Sequence, residues 1–363
     1  MTTTDVRAAD PAADRRLIVG MAFGGMAAQT LRAAVRLRVP ELIGETPRRA
    51  ADIAAEAGTE PQTMTRLLRA LAALGVLVQD ASGSFSATPA GALLDPRHPH
   101  SLASFVRVFT DPVALRAWEH LDDSVRTGEI AFDAVFGTDF FRHLAQHPEL
   151  SQAFNSAMSQ AAGAAAGALP HAYDFGRFGS VTDVGGGAGT VLAGVLDAHP
   201  RLTGVVYDTA EGLAQAPTTL DRHRLGDRCT LRAGDFFRSV PEGSDLYLIK
   251  SVLHDWSDDQ AVTILRHCRE VLPAGGRVLV VEPVLPDIVG PVRPETAATD
   301  AEGHAADGGI TYLSDLNMLV NVGGRERTRK DFDAVCHRAG LRVLSVAPLT
   351  GAAPYCLVEA AAQ

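Results

Sequence analysis

From Ser180 onward the chain alternates short β-favouring runs with helical segments. The runs are Val181–Val184, Thr203–Tyr207, Thr230–Leu231, Leu246–Ile249, Arg277–Val281, Leu341–Val346 and Tyr355–Glu359. Helical patterns fall between most of them, over Thr190–Ala198, Gly212–Ala216, Asp258–Leu272 and Arg329–Ala339. Parallel strands need long crossovers, so this alternation predicts an α/β fold with a largely parallel sheet covered on both faces. Only Ala347–Pro354 separates the last two runs, which predicts a hairpin and one antiparallel strand.

The first half has another grammar. Up to about residue 15 it reads as a polar tail. Arg15 to Ile43 is helical but apolar around much of its circumference, which calls for partners on several sides, a second subunit among them. Between Thr46 and Leu94 a short helix (Ala50–Ala57) ends at Gly58, and a second opens at Glu60-Pro61 and stops at Gly75. Val76–Val78 and Phe85–Ala87, joined through Gly83, then form a hairpin, which completes a winged-helix pattern. Ser101 to Ala172 reads as helical, with a loop around Gly128–Asp139 and an Ala/Gly-rich stretch, Ala157–Leu169, suited to close helix packing. The expected organisation is therefore 1–100, 101–174 and 175–363.

Composition decides how to read the winged helix. The net charge is −10, the isoelectric point about 5.6, and the content 46% hydrophobic and 21% charged. Such a chain is globular and a poor ligand for phosphate backbones, so the winged helix is scaffold rather than nucleic-acid reader. Cys229, Cys268, Cys336 and Cys356 form no C-x-x-C pair and no metal-like spacing, so neither a disulfide framework nor a metal site is expected. The N-terminus lacks the basic-then-apolar order of a secretory signal, and Leu17–Ala28 is far short of the roughly 20 residues that span a bilayer. A soluble cytoplasmic protein with no membrane association is the expectation.

The first strand ends in Asp183-Val184-Gly185-Gly186-Gly187-Ala188-Gly189 and leads into a helix. Glycine permits both the tight turn and close approach of a ligand to backbone. Asp208 ends the next run, where a carboxylate can accept hydrogen bonds from a ribose diol. The spacing G-x-G-x-G resembles S-adenosylmethionine (SAM) methyltransferases more than dinucleotide sites, and no Gly-Lys-Ser/Thr follows to make a P-loop. Gly234-Asp235-Phe236-Phe237, after the third run, offers an acid for an adenine amino group and a ring to lie against the base.

Leu248 to Trp256 places His254 just beyond the fourth run, near the carboxyl edge of the sheet. An imidazole there suits proton removal from a phenol. Glu282, in Val280-Val281-Glu282-Pro283, and Glu326, in Gly323-Gly324-Arg325-Glu326-Arg327-Thr328, are carboxylates either of which could hold the other ring nitrogen.

In order, DVGGGAG, GDFF, LIKSVLHDW, VVEPVLP and GGRERT resemble the plant caffeate-type small-molecule O-methyltransferases and their bacterial relatives that tailor aromatic polyketides. The resemblance covers most of the chain and includes the helical stretch FGTDFFRHLAQHPELSQAFNSAMS. It implies a Rossmann-like SAM methyltransferase domain behind an N-terminal all-α winged-helix domain that forms a homodimer, and no metal. It also implies roles: Gly185 on SAM, Asp208 on its ribose, Asp235 and Phe236 on its adenine, Lys250 along it and Trp256 against the purine. His254 would be the base, oriented by Glu282 and Glu326, for in-line methyl transfer to a phenolic oxygen. Asp255, Asn321, Met158 and Met318 would line the pocket of a small aromatic acceptor. The Pro286–Gly309 segment is longer than that family's pattern and leads into a helix, Leu313–Val320, that would carry specificity. Two other readings are a SAM-dependent hydroxylase or cyclase on the same scaffold, and a SAM-sensing regulator.

Overall fold

The computed structural model describes residues 10–289 and 309–363. It divides into two compact units, Met1–Asp111 and Pro112–Gln363.

In the first unit α1 (Pro11–Ala22), α2 (Gly24–Arg36) and α3 (Val39–Ile43) precede β1 (Arg48–Arg49). The expected tail is helical from Pro11, because Asp10 Oδ1 accepts the N–H groups of Ala12 and Ala13 and proline fills the first helical position. α4 (Ala50–Ala57) ends at Gly58, whose φ of +66° closes the turn into α5 (Pro61–Ala73). β2 (Leu77–Gln79) and β3 (Ser84–Ala87) pair antiparallel, and β1 joins the other edge of β3. The unit is thus not all-α, since it carries a three-stranded sheet. Ile53, Met64, Leu68, Leu71 and Phe85 form its core. α6 (Pro89–Ala92) and α7 (Ala103–Phe109) complete it, with Arg32 on α2 ion-paired to Asp111 at 2.8 Å. No residue of α1 is buried, and Leu17, Ile18, Met21, Phe23 and Met26 are all more than half exposed.

The second unit opens with α8 (Pro112–Trp118), α9 (Leu121–Thr127), α10 (Ala131–Phe136), α11 (Phe140–Gln146), α12 (Pro148–Ala161) and α13 (Gly163–Ala172). The expected Gly128–Asp139 loop contains α10: Gly128 and Gly137, both at positive φ, end helices, and Phe132 between them is fully buried. These helices belong with the sheet rather than forming a separate region. Ala165 and Leu169 of α13 lie in the sheet's core, and a Cβ on Gly194 would come within 2.5 Å of the Ala166 carbonyl oxygen. Close packing of the Ala/Gly stretch is therefore what the structure shows.

β4 (Ser180–Val184), α14 (Thr190–Ala198), β5 (Thr203–Asp208), α15 (Ala216–His223), β6 (Cys229–Ala233), β7 (Leu246–Lys250), α16 (Asp258–Val271) and β8 (Arg277–Leu285) alternate as expected. α17 (Ile310–Asn321), β9 (Arg327–Thr328), α18 (Arg329–Arg338), β10 (Leu341–Pro348) and β11 (Tyr355–Ala362) follow. The sheet order is β10-β11-β8-β7-β4-β5-β6, with β9 beside β8. β11 alone runs antiparallel to its neighbours in this path. The order reverses between β4 and β7, and ligands of open α/β sheets bind in the crevice at such a switch point. Most of the long Pro286–Gly309 segment, residues 290–308, lies outside the described residues. Among the described residues no single helix is long and apolar enough to cross a membrane.

Candidate active site

The glycine turn lies at the switch point and is shaped by what surrounds it. Gly185, at φ +73°, donates to the Tyr207 carbonyl at 2.8 Å, and a Cβ there would lie 2.5 Å from Val252 Cγ2. A Cβ on Gly186 would sit 2.8 Å from the Asp183 carboxyl and 2.9 Å from Val206. Asp208 is drawn into the turn: its Oδ2 accepts from Gly187 N at 2.8 Å, its Oδ1 from Thr209 N at 2.7 Å. Burial raises the Asp208 carboxyl above its ordinary range, although those N–H groups oppose the shift. Beneath the turn Asp183 is fully buried, pushed up to about 7 by burial and by Asp208, with Lys250 opposing. Sequence reasoning placed Asp183 in the motif but gave it no role; a charged residue inside an apolar β-run was the available signal.

Asp235 follows β6, and its Oδ1 accepts from Phe237 N at 2.8 Å. Phe236 and Phe237 meet Trp256 edge-on, with centroids at 6.1 and 4.7 Å. The other partner of Trp256 was not foreseen: Phe141 of α11 stacks on it at 5.3 Å with planes 27° apart. Lys250, ending β7, places Nζ 4.7 Å above the Tyr355 ring. Burial by itself would raise the Tyr355 phenol, but Lys250 and other neighbours bring it below its usual value.

The His254 turn, a single 3₁₀ turn over Leu253–Asp255, is held from three sides. Glu282 Oε1 accepts from the backbone N–H groups of Val252 (3.0 Å), Leu253 (2.7 Å) and His254 (3.3 Å). Arg327, fully buried, donates to the carbonyls of Leu253 (2.7 Å) and Trp256 (2.8 Å) and to Asp258 (3.0 Å). Gly324 presses against the turn so closely that a Cβ would stand 2.0 Å from the His254 carbonyl oxygen. Of the two carboxylates that sequence left open, Glu326 takes the ring: His254 Nδ1 lies 2.9 Å from Glu326 Oε1. Glu282 does not hold the ring nitrogen. It stands in β8, and its Oε1 is taken by three backbone N–H groups of the turn.

An ionised carboxylate only accepts, so Nδ1 carries the proton toward Glu326 and Nε2 is the basic nitrogen of the neutral ring. Nε2 lies 3.6 Å from Asp255 Oδ1. Burial alone would lower the His254 pKa, but Glu326, Asp255 and, more distantly, Glu282 outweigh it and push it up to about 10. Burial, with Glu282 and Glu326 adding to it, lifts Asp255 to about 7 against the pull of His254.

α17 flanks this turn. Asn321 and Met318 are buried on it. Asn317 Oδ1 accepts from Trp118 Nε1 at 3.0 Å and from Asn321 Nδ2 at 2.8 Å, which leaves Asn321 Oδ1 buried without a hydrogen-bond partner among the described residues. Met158 is half-buried on α12, which packs chiefly on α11 and α13 and is tied to the helix after the glycine turn by Ser159–Thr190 at 2.6 Å. Among the described residues no group of three or more His, Cys, Asp or Glu could hold a metal ion.

A glycine turn at a switch point, acids at successive strand ends and a buried His–Glu pair make the arrangement expected of an α/β methyltransferase. Comparison with known proteins agrees. An O-methyltransferase domain matches residues 118–342 and an O-methyltransferase dimerisation domain matches residues 19–95. The chain is 45% identical over 346 residues to O-demethylpuromycin-O-methyltransferase of Streptomyces alboniger, covering 95% of this chain and 88% of that protein. The structure of mitomycin 7-O-methyltransferase superposes with a TM-score of 0.84 at 36% identity, covering 97% and 99% of the two chains. An O-methyltransferase from neocarzinostatin biosynthesis, solved with SAM and 2-hydroxy-5-methyl naphthoic acid, gives 0.72 at 32% identity, over 93% and 96%. The chain belongs to the SAM-dependent O-methyltransferase family.

Proposed function

We propose that this enzyme methylates a phenolic hydroxyl of a small aromatic natural product, a polyketide phenol such as an anthraquinone or anthracycline, with His254 as general base. The observation that carries this reading is the buried His254–Glu326 pair at 2.9 Å, set beside the glycine cradle at the sheet's carboxyl edge. A relative named as a dihydroxy-methylnaphthoate 7-O-methyltransferase and another named as a 6-O-methyltransferase of mitomycin biosynthesis support an aromatic acceptor.

The glycine turn suits SAM: it runs free of side chains at the switch point, beside the Asp208 carboxylate, which lies 4.0 Å from where a Cβ on Gly187 would stand. Gly185, Asp208, Asp235, Phe236, Lys250 and Trp256 are the residues that would hold it. When bound, SAM supplies a methyl already activated on a sulfonium, which leaves placement and proton removal to the protein. His254 Nε2 takes the phenolic proton, Glu326 stabilises the resulting imidazolium, and Glu282 and Arg327 fix the turn so that the ring does not swing. Asp255, Asn321, Met318 and Met158 line the acceptor side. The first unit supplies the homodimer contact through its N-terminal helices, a reading supported by the apolar, unburied face of α1.

The test is to incubate the enzyme with SAM and a panel of polyketide phenols and weigh the products. A gain of one methyl on a phenolic oxygen is the expected result. Gain of an oxygen atom, or ring closure without mass gain, would replace this reading with the hydroxylase or cyclase one.

A further inference from the structure

One oxygen of Glu326 does two jobs. Oε1 lies 2.9 Å from His254 Nδ1 and also accepts the Ser314 hydroxyl at 2.9 Å. The other oxygen, Oε2, is buried with no hydrogen-bond partner among the described residues. Glu326 N donates to Asp315 Oδ1 at 2.8 Å, so two consecutive residues of α17 grip this one glutamate, by side chain and by backbone. Ser314, Asn317 and Asn321 stand at i, i+3 and i+7 and share one face of α17. A single helix therefore contacts the base pair at one end and carries the Asn317–Asn321 amides at the other.

We propose that Ser314 is a positioning residue of the His254–Glu326 pair: by sharing Oε1 with the ring N–H, its hydroxyl limits how strongly Glu326 holds the imidazolium and couples the base to α17. The inference deepens the general-base reading and rests on it. A hydroxyl donated to a carboxylate disperses its charge and makes it a weaker base. With Oε2 otherwise unpartnered, the Ser314 hydroxyl is the only side-chain donor besides the imidazole on this carboxylate among the described residues. Its loss makes the pair hold its proton more tightly, whichever member carries it. The surrounding charges do not cancel this contribution. Asp255 faces Nε2, Glu282 lies under the turn, and both favour the imidazolium. Arg327 acts on Glu282, Lys250 on Asp255 and Tyr355, and Arg325 on Asp315, so the cations near the site act first on other groups.

The experiment is an NMR titration of the full chain, labelled in its 12 histidines and saturated with S-adenosylhomocysteine. The His254 signal is assigned by its loss in His254→Asn. Ser314→Ala is expected to raise the apparent pKa of the pair by about half to one unit, and Ser314→Thr, which keeps the hydroxyl, to leave it within roughly 0.2 unit. Ser314→Cys, a weak donor of similar size, is expected to fall between them and serves if the alanine variant does not fold. An unchanged titration in folded Ser314→Ala or Ser314→Cys overturns the proposal and leaves Ser314 a packing residue. Because no acceptor or turnover is involved, failure to find a methylated phenol would leave this result standing, and the reverse holds too.

Discussion

The two walls of the crevice are built from different materials. The wall proposed for the cofactor is backbone: glycines at 185, 186 and 189 let the chain run tight against Val252, Asp183 and Val206, their N–H groups bond within the protein, and Asp208 is seated by Gly187 N. The reacting wall is side chain: one 3₁₀ turn is clamped by a glutamate below, an arginine behind and a glycine against it, and His254 is aimed by a second glutamate. The backbone wall needs mainly the turn and the adjoining end of β5, which pairs with β4, so residues close in sequence specify most of it. A side-chain wall needs partners from β8, α17 and the loop before β9, so it forms only when the whole unit is packed. The first should fail by losing ligand, the second by losing aim.

The sharpest way to break this contrast is a pair of alanines. Gly185→Ala adds a side chain at positive φ, 2.5 Å from Val252, and should weaken S-adenosylhomocysteine binding by roughly 100-fold or more, measured calorimetrically. Gly324→Ala forces the His254 carbonyl away and should spare that affinity within a few-fold while turnover falls roughly 100-fold. If both lose ligand equally, the walls are not separable.

Arg327→Met comes next. It removes the donor from two carbonyls and from Asp258 at a fully buried position, and should cost about 3–5 kcal/mol in chemical denaturation. A loss of under ~1 kcal/mol would mean the turn holds itself.

The walls also differ in charge, which gives two smaller effects. With the His254 pKa raised to about 10, the stability its imidazolium contributes is fully present below 6.5 and lost as pH rises through about 10. The activity should show the complement: kcat/KM climbs with pH along a limb above 6.5, because only the neutral ring accepts a proton. A limb at or below 6.5 would contradict the surroundings described for His254. On the cofactor wall, the Asp183 pKa is raised from 3.8 to about 7, so the stability it favours is present below 3.8 and lost through about 7. Asp183→Asn should therefore gain stability in chemical denaturation relative to the parent as pH climbs through that window, by up to about a few kcal/mol at pH 8. A difference that does not change with pH would remove Asp183 from the account.

The same division explains what could be read from sequence. The glycine turn, Asp208 and Asp235 sit at ends of strands that periodicity reveals, so their place in the crevice was legible. The alternation also showed the parallel sheet and its terminal hairpin. The reacting wall was legible as a set of residues but not as contacts. His254 and Glu326 are 72 residues apart, and nothing local separates Glu326 from Glu282 as the partner of the ring. Arg327 and Ser314 were invisible as site residues because their value lies in what they touch across the fold. Phe141 was missed for the same reason: only packing brings α11 onto Trp256. At the N-terminus, Asp10-Pro11 was a legible helix start overlooked in favour of polar composition.

The central claim is that His254 removes the proton, and His254→Ala with an identified phenol tests it most directly. Single-turnover rates at saturating SAM should fall by about 10²–10⁴-fold and recover in part at high pH, where the phenol ionises unaided, while S-adenosylhomocysteine affinity is kept. A folded variant that methylates at the parent rate at neutral pH would contradict the account and leave placement alone as the source of catalysis.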